Sequence, residues 1–207
     1  MKRDYEALAI RELGPGAGFR RPIGAPAGPV TLESDAIEVM TDLSATTPAT
    51  IRPQAPIDAA NQFMITRGVR LLLVVDEREV VLGLITATDI LGEAAMRAAT
   101  EFGKRHDELT VADLMTLAAR VEVLAFADVA TARVGHVLVT LRRAGRQHAL
   151  VVDFERVETT SLIDPPLDRA MVRGIFSLSQ VARQLGVTVQ TTQVARTFAE
   201  IESVLGH

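Results

Sequence analysis

The sequence predicts a mixed α/β (α+β) protein built from two βαββα repeats. Three observations carry this. First, three blocks recur in one order: Val39-Met40-Thr41, Gly68 to Asp76 and Gly83 to Ile90 return as Leu114-Met115-Thr116, Gly145 to Asp153 and Gly174 to Val181. A long period of this kind marks a duplicated supersecondary unit. Second, Leu71 to Val75 and Val80 to Ile85 are continuous apolar runs, the latter interrupted only by Gly83. Such runs read as strands buried on both faces or nearly so. Third, helix-spaced apolar residues precede the first run and follow the second.

The elements follow in order. Residues 1–32 hold a dense series of Gly and Pro between Gly14 and Pro29, which excludes regular structure and predicts an extended arm. Phe19-Arg20-Arg21 within it is an arm docking on a partner subunit, a basic finger reaching an anionic ligand, or part of a loose tail. The first repeat is expected over 33–100. A short helix from Glu33 to Leu43 should turn Ile37 and Met40 inward. Ala49-Thr50-Ile51, between Pro48 and Pro53, is a weak first strand. A helix should begin after Pro56, with Ile57, Ala60, Met64 and Val69 on one face and Gly68 stopping it. The two apolar strands form a hairpin across Glu77-Arg78-Glu79. Asp89 to Met96 closes the repeat as an amphipathic helix carrying Ile90, Leu91 and Ala94.

The second repeat is expected over 107–186. Six residues separate Asp76 from Gly83, but twenty separate Asp153 from Gly174. The insertion, 154–170, is long enough to suggest a lid or a dimer contact, with plain surface decoration as the alternative. The extension 187–207 places Val194, Phe198, Ile201 and Leu205 on one helical face. Closing the core or packing in a dimer is the simplest role for that face, and a partner-binding helix is the other.

Composition narrows the function. The chain has 207 residues, is 48% hydrophobic with one Tyr and no Trp, and carries a formal charge of −4. Its core is therefore aliphatic, and no global field attracts nucleic acid or anionic lipid. Without cysteine there is no thiolate metal site and no cysteine nucleophile. No apolar run has signal-peptide or transmembrane length. The expectation is a cytoplasmic protein with neither a membrane nor a nucleic-acid partner. Catalysis lacks a constellation. The histidines, at 106, 136, 148 and 207, show no metal-ligand spacing. Gly174-Ile175-Phe176-Ser177 is no nucleophile elbow, and Gly14 to Gly18 lacks the strand and helix a phosphate loop needs.

One motif stands out. Thr86-Ala87-Thr88-Asp89 places a hydroxyl and a carboxylate three residues apart at a strand-to-helix turn. The pair can hold a ribose diol, and the helix start adds donors for an anion. The same spacing is a capping box, and spacing alone favours the cap. In the second copy, Ser177-Leu178-Ser179-Gln180 keeps the spacing and loses the carboxylate. A neutral amide holds hydroxyls more weakly. The cap is thus expected in both copies and a diol site only in the first.

The order and spacing of these blocks resemble the cystathionine β-synthase (CBS) domain, and their repetition resembles a stand-alone CBS pair, or Bateman module, across roughly residues 36 to 186. The resemblance implies two repeats packed with pseudo-two-fold symmetry, a regulatory rather than an enzymatic role, and an adenosine-containing ligand in the cleft between them. AMP, ADP or ATP is expected, and S-adenosylmethionine is less favoured. The family's ribose-binding Thr-x-x-Asp falls on Thr86 and Asp89, with Ser177 in the second copy. Its adenine slot falls on Thr50, Ile51 and Leu84, with Val121 to Val123 as the second-copy strand. Arg70, Arg146 and His148 precede the central strands and are the candidate phosphate contacts. The family's cation before the ribose-binding Asp is replaced here by Thr88, which counts against tight triphosphate binding. A homodimer and an effector protein are the implied partners. The alternative is a structural or dimerisation module with non-functional pockets.

Overall fold

The computed structural model describes residues 29–157, 167–187 and 198–201; side chains are described within those ranges except at 155–157 and 167–168. Most of the Gly/Pro-rich arm, residues 158–166 of the insertion, Val194 and Leu205 lie outside the described residues.

The first strands and helix are β1 (Thr41–Asp42), β2 (Thr50–Ile51) and α1 (Ile57–Arg67), followed by the hairpin β3 (Leu71–Val75) and β4 (Val81–Thr86). Then come α2 (Ala87–Leu91), α3 (Glu93–Phe102), α4 (Val111–Leu114) and β5 (Thr116–Leu117). The second half adds β6 (Val123–Ala125), α5 (Phe126–Val129), α6 (Val134–Ala144), β7 (His148–Val157), β8 (Leu167–Ser177) and α7 (Leu178–Gln184).

The local code works as the residues dictate. In α1, Ile57, Ala60 and Met64 are buried, and Gly68 ends the helix at φ 64, a left-handed conformation that favours glycine. All five residues of β3 are buried. Its alternation explains why: Leu72 and Val74 join a core with Ile57, Met64 and Ile85, while Leu71, Leu73 and Val75 join Leu150 in another. That second group also packs on Leu84, Val172 and Ile175, so it is the seam between two sheets. A third core, around Phe176, Leu141 and Val181, fills the second half. Phe198 and Ile201 belong to it, so the described part of the C-terminal extension closes this core.

Each sheet borrows an edge from the other half. The orders are β2-β3-β4-β5 and β1-β8-β7-β6. β1 precedes the first hairpin in sequence yet pairs antiparallel with β8; β5 precedes the second hairpin yet pairs with β4. The segments leading into these strands cross over too. Ala36 N–H donates to the Ala132 carbonyl and Val134 N–H to the Ser34 carbonyl; Ile57 N–H donates to Leu109 and Val111 N–H to Ala55. Ala36, Val39 and Met40 are buried in the second half's core, and Leu109 and Val111 in the first half's. Gly83 and Gly174 permit the crossings. A Cβ at Gly83 would overlap the Thr116 carbonyl oxygen, and one at Gly174 would overlap the Met40 side chain.

Four expectations need correction. Residues 36–39 form a single 3-10 turn, so Val39 and Ala36 face inward and Ile37 is exposed. The helix expected over Asp89 to Met96 is two helices broken at Gly92, whose backbone is extended; Leu91 is exposed, and Ala95 and Ala98 are the buried residues beyond the break. The first strand of the second half is Val123–Ala125, not Val121–Val123, because Val123 pairs with Leu150 as Thr50 pairs with Leu73. Finally, the described part of the insertion is no loose loop. It prolongs the β7–β8 hairpin through Phe154↔Ala170 to Val157↔Leu167.

Candidate functional site

At the β4–α2 junction Thr86 is the last strand residue and the N-cap of α2. Its N–H and its hydroxyl donate to Asp89 Oδ2 at 2.8 and 2.7 Å, and Asp89 N–H donates to Thr86 Oγ1 at 3.4 Å. The capping box is therefore formed. It engages one carboxylate oxygen, and Asp89 Oδ1 has no hydrogen-bond donor among the described residues. Asp89 can thus cap the helix with one oxygen and present the other to a ligand.

Asp89 borders a cavity of about 180 Å³. Leu71, Leu84, Thr86 and Thr88 line it from the first half. The opposite wall comes from Val121, Glu122, Arg146 and His148, with Thr116 from the crossing strand. Arg146 Nε lies 3.3 Å from Glu122 Oε2, so the one guanidinium that lines the cavity among the described residues is already paired. His148 opens β7 and is half-buried. Burial, and secondarily the Arg70 charge, lower its pKa to about 4, so it is a neutral imidazole near pH 7.

The pseudo-symmetric partner is a larger cavity of about 440 Å³. It is lined by Ser177, Ser179 and Gln180 around the start of α7, by Thr41 from β1, and by Thr66 to Arg70 before β3 with Leu71 at its start. His148 lines both cavities. Each cavity thus joins the helix start of one half to the residues before the central strand of the other.

The expected capping box at Ser177 is absent, since its side chain makes no cap bond. Gln180 Oε1 instead accepts from Thr41 Oγ1 at 3.1 Å, and the Ser177 and Ser179 hydroxyls lie 3.1 Å apart. The crossing of β1 brings a hydroxyl to the amide and draws it away from its own helix start.

The residues expected at one cleft are distributed over two. Leu84, Thr86, Asp89, Arg146 and His148 meet in the smaller cavity. Arg70 and Ser177 line the larger, with His148 between. Thr50 and Ile51 line neither: β2 is half-buried, and Ile51 packs against the first core. Sequence reasoning passed over Thr41 and Thr116, which close the two cavities; the repeated Met-Thr pair was their signal. It also passed over Arg67 and Arg183. No group of three or more His, Asp or Glu among the described residues could hold a metal ion, and no described helix is long and apolar enough to cross a membrane.

Comparison with known proteins places this architecture. Residues 35–95 match the model of the CBS domain. No curated protein sequence matches the chain. Among solved structures, an uncharacterized conserved protein from Pyrococcus horikoshii is similar in fold, with TM-score 0.52 and 19% identity over 79% of this chain and 100% of that one. A CBS-domain containing protein from Agrobacterium tumefaciens has TM-score 0.50 and 17% identity over 74% of this chain and 94% of its own. Residues 35–95 thus carry a CBS domain, and the chain as a whole shares its fold with the CBS-domain containing protein from Agrobacterium tumefaciens.

Proposed function

We propose that the chain is a regulatory sensor that binds an adenine nucleotide in the smaller cavity. The observation that carries the reading is Asp89, whose Oδ1 stands unengaged at the wall of a cavity shared by both halves. A ribose diol would donate to that oxygen, and the Thr86 hydroxyl stands beside it. Leu71, Leu84, Val121 and Leu150 supply apolar wall for a base. The phosphate would face Arg146 and His148. Because Arg146 is held by Glu122 and Thr88 carries no charge, a single phosphate suits the site better than three. The expected order of affinity is AMP, then ADP, then ATP.

Binding would act by population shift, because a ligand touching both halves favours one arrangement of them. Output would then pass through an effector protein or through the oligomeric state. A homodimer is supported by apolar side chains left exposed on the helices, among them Ile65, Met96, Phe102 and Val139.

Titration calorimetry with AMP tests the reading through Asp89→Asn. The Asn carbonyl oxygen can take over the cap, while its NH₂ replaces the acceptor Oδ1 with a donor. A charge-assisted hydrogen bond is worth about 1.5–3 kcal/mol, so AMP affinity should fall at least about tenfold. The melting temperature should change little. AMP binding that survives the substitution unchanged would mean that Thr86-x-x-Asp89 is only a helix cap and that the pocket is non-functional.

A further inference from the structure

The two cavities carry opposite charge. The smaller is lined by Asp89 and Glu122 against Arg146 alone. The larger is lined by Arg67, Arg70 and Arg183, and among the described residues no carboxylate lines it. The nearest acid by sequence, Asp42, is compensated, since its Oδ1 lies 3.2 Å from Arg173 Nη1. Arg70 and Arg183 have no ion pair or side-chain hydrogen bond with other described residues, and the Arg67 guanidinium stands 5.8 Å from the Phe63 ring centroid, an exposed cation–π contact that leaves its donors available. Positively charged side chains lining one concavity without carboxylate partners repel one another, and an anion relieves that repulsion. Hydroxyls of Thr46, Thr47 and Ser177 add neutral donors around the same space.

The carboxylate that would hold a ribose diol is missing. Its place is taken by Gln180, whose carbonyl oxygen already accepts from Thr41. The larger cavity therefore selects for charge and not for a diol.

We propose that the larger cavity is a second, chemically distinct ligand site that takes a small, multiply charged phosphorylated anion and needs no nucleoside. This goes beyond the reading of the smaller cavity, and its test uses other residues and another probe, so either can fail alone. The probe is inorganic pyrophosphate, measured by titration calorimetry on the full chain at low salt. Wild type should bind it, with affinity falling as salt rises. Arg70→Gln and Arg183→Gln should each weaken binding by about tenfold, the effect of one lost charge-assisted contact. Arg97→Gln, on exposed α3 outside both cavities, removes the same formal charge and should leave binding within about twofold, as expected for a screened distant charge. Circular dichroism and melting temperature establish that each variant is folded, and a variant that is not is replaced by the lysine substitution, which keeps charge and loses the fork. Three results would overturn the proposal: no pyrophosphate binding by wild type at millimolar concentration, an equal loss in Arg97→Gln, or a loss in Arg146→Gln matching that in Arg70→Gln, which would put the anion in the smaller cavity.

Discussion

His148 should make the folded state sensitive to mild acid. Burial and the Arg70 charge hold its pKa near 4 in the folded chain, against an ordinary value of 6.5. The unfolded chain therefore takes up a proton as pH falls through 6.5, while the folded chain does not until about 4. Protons bound preferentially by the unfolded state pull the equilibrium toward it, so stability is complete above about pH 7 and declines between 6.5 and 4. From those two pKa values the loss at pH 5 is roughly 2 kcal/mol, and it approaches roughly 3 kcal/mol below pH 4. His148→Leu isolates the effect, since Leu71 occupies the matching position of the first half and shows that an aliphatic side chain fits this register. Urea unfolding at pH 8, 6 and 5 should show wild type losing about 2 kcal/mol more than His148→Leu across that range. All other groups are common to both proteins and cancel in the difference. Identical pH profiles would refute the burial argument and show that the imidazole reaches solvent freely.

The two crossing glycines should differ in tolerance. Gly83→Ala drives a methyl into the Thr116 backbone and is expected to cost about 3 kcal/mol, whereas Gly174→Ala meets only the flexible Met40 side chain and should cost about 1 kcal/mol, both read by chemical denaturation. Thr41→Val removes the donor to Gln180 and should cost about 1 kcal/mol. Thr116→Val, with no such bond among the described residues, should cost less in the same assay. Sedimentation equilibrium at micromolar concentration should show a dimer, and a species that stays monomeric would count against the exposed helix faces as an interface.

Much of this architecture is legible in the residues. The buried strand at Leu71–Val75, the helix before it and the Gly68 stop follow from apolar runs, periodicity and the glycine's φ. What escapes is partnership. β1 and β5 are two residues long, too short for a period-two pattern, and periodicity reports burial without saying which sheet supplies it. Ile37 and Val39 exchange roles because a 3-10 turn replaces the 3.6-residue period. Gly92 divides α2 from α3 by an extended backbone, although apolar residues continue on both sides. At the site, Thr86 and Asp89 are found by local spacing, since the cap is local chemistry. Arg70 cannot be assigned that way: three-dimensional crossing, and not sequence proximity, seats it with Ser177 and Gln180.

The borrowed edges also bear on how such a molecule is divided or assembled. A chain cut between α3 and α4 would not yield two independent modules. The first fragment would keep β1 with no β8 to receive it and would expose the β4 edge that β5 covers. The second would carry β5 unpaired and leave β8 open. The two pieces are complementary at both edges, so mixed fragments have every reason to reassociate. By the same logic, a single ancestral unit folding alone would have one strand to give and one edge to fill. It could satisfy both only by trading with a second copy of itself about a two-fold axis. The fusion of two such units into one chain fixes that trade at an effective concentration no dilution can reduce.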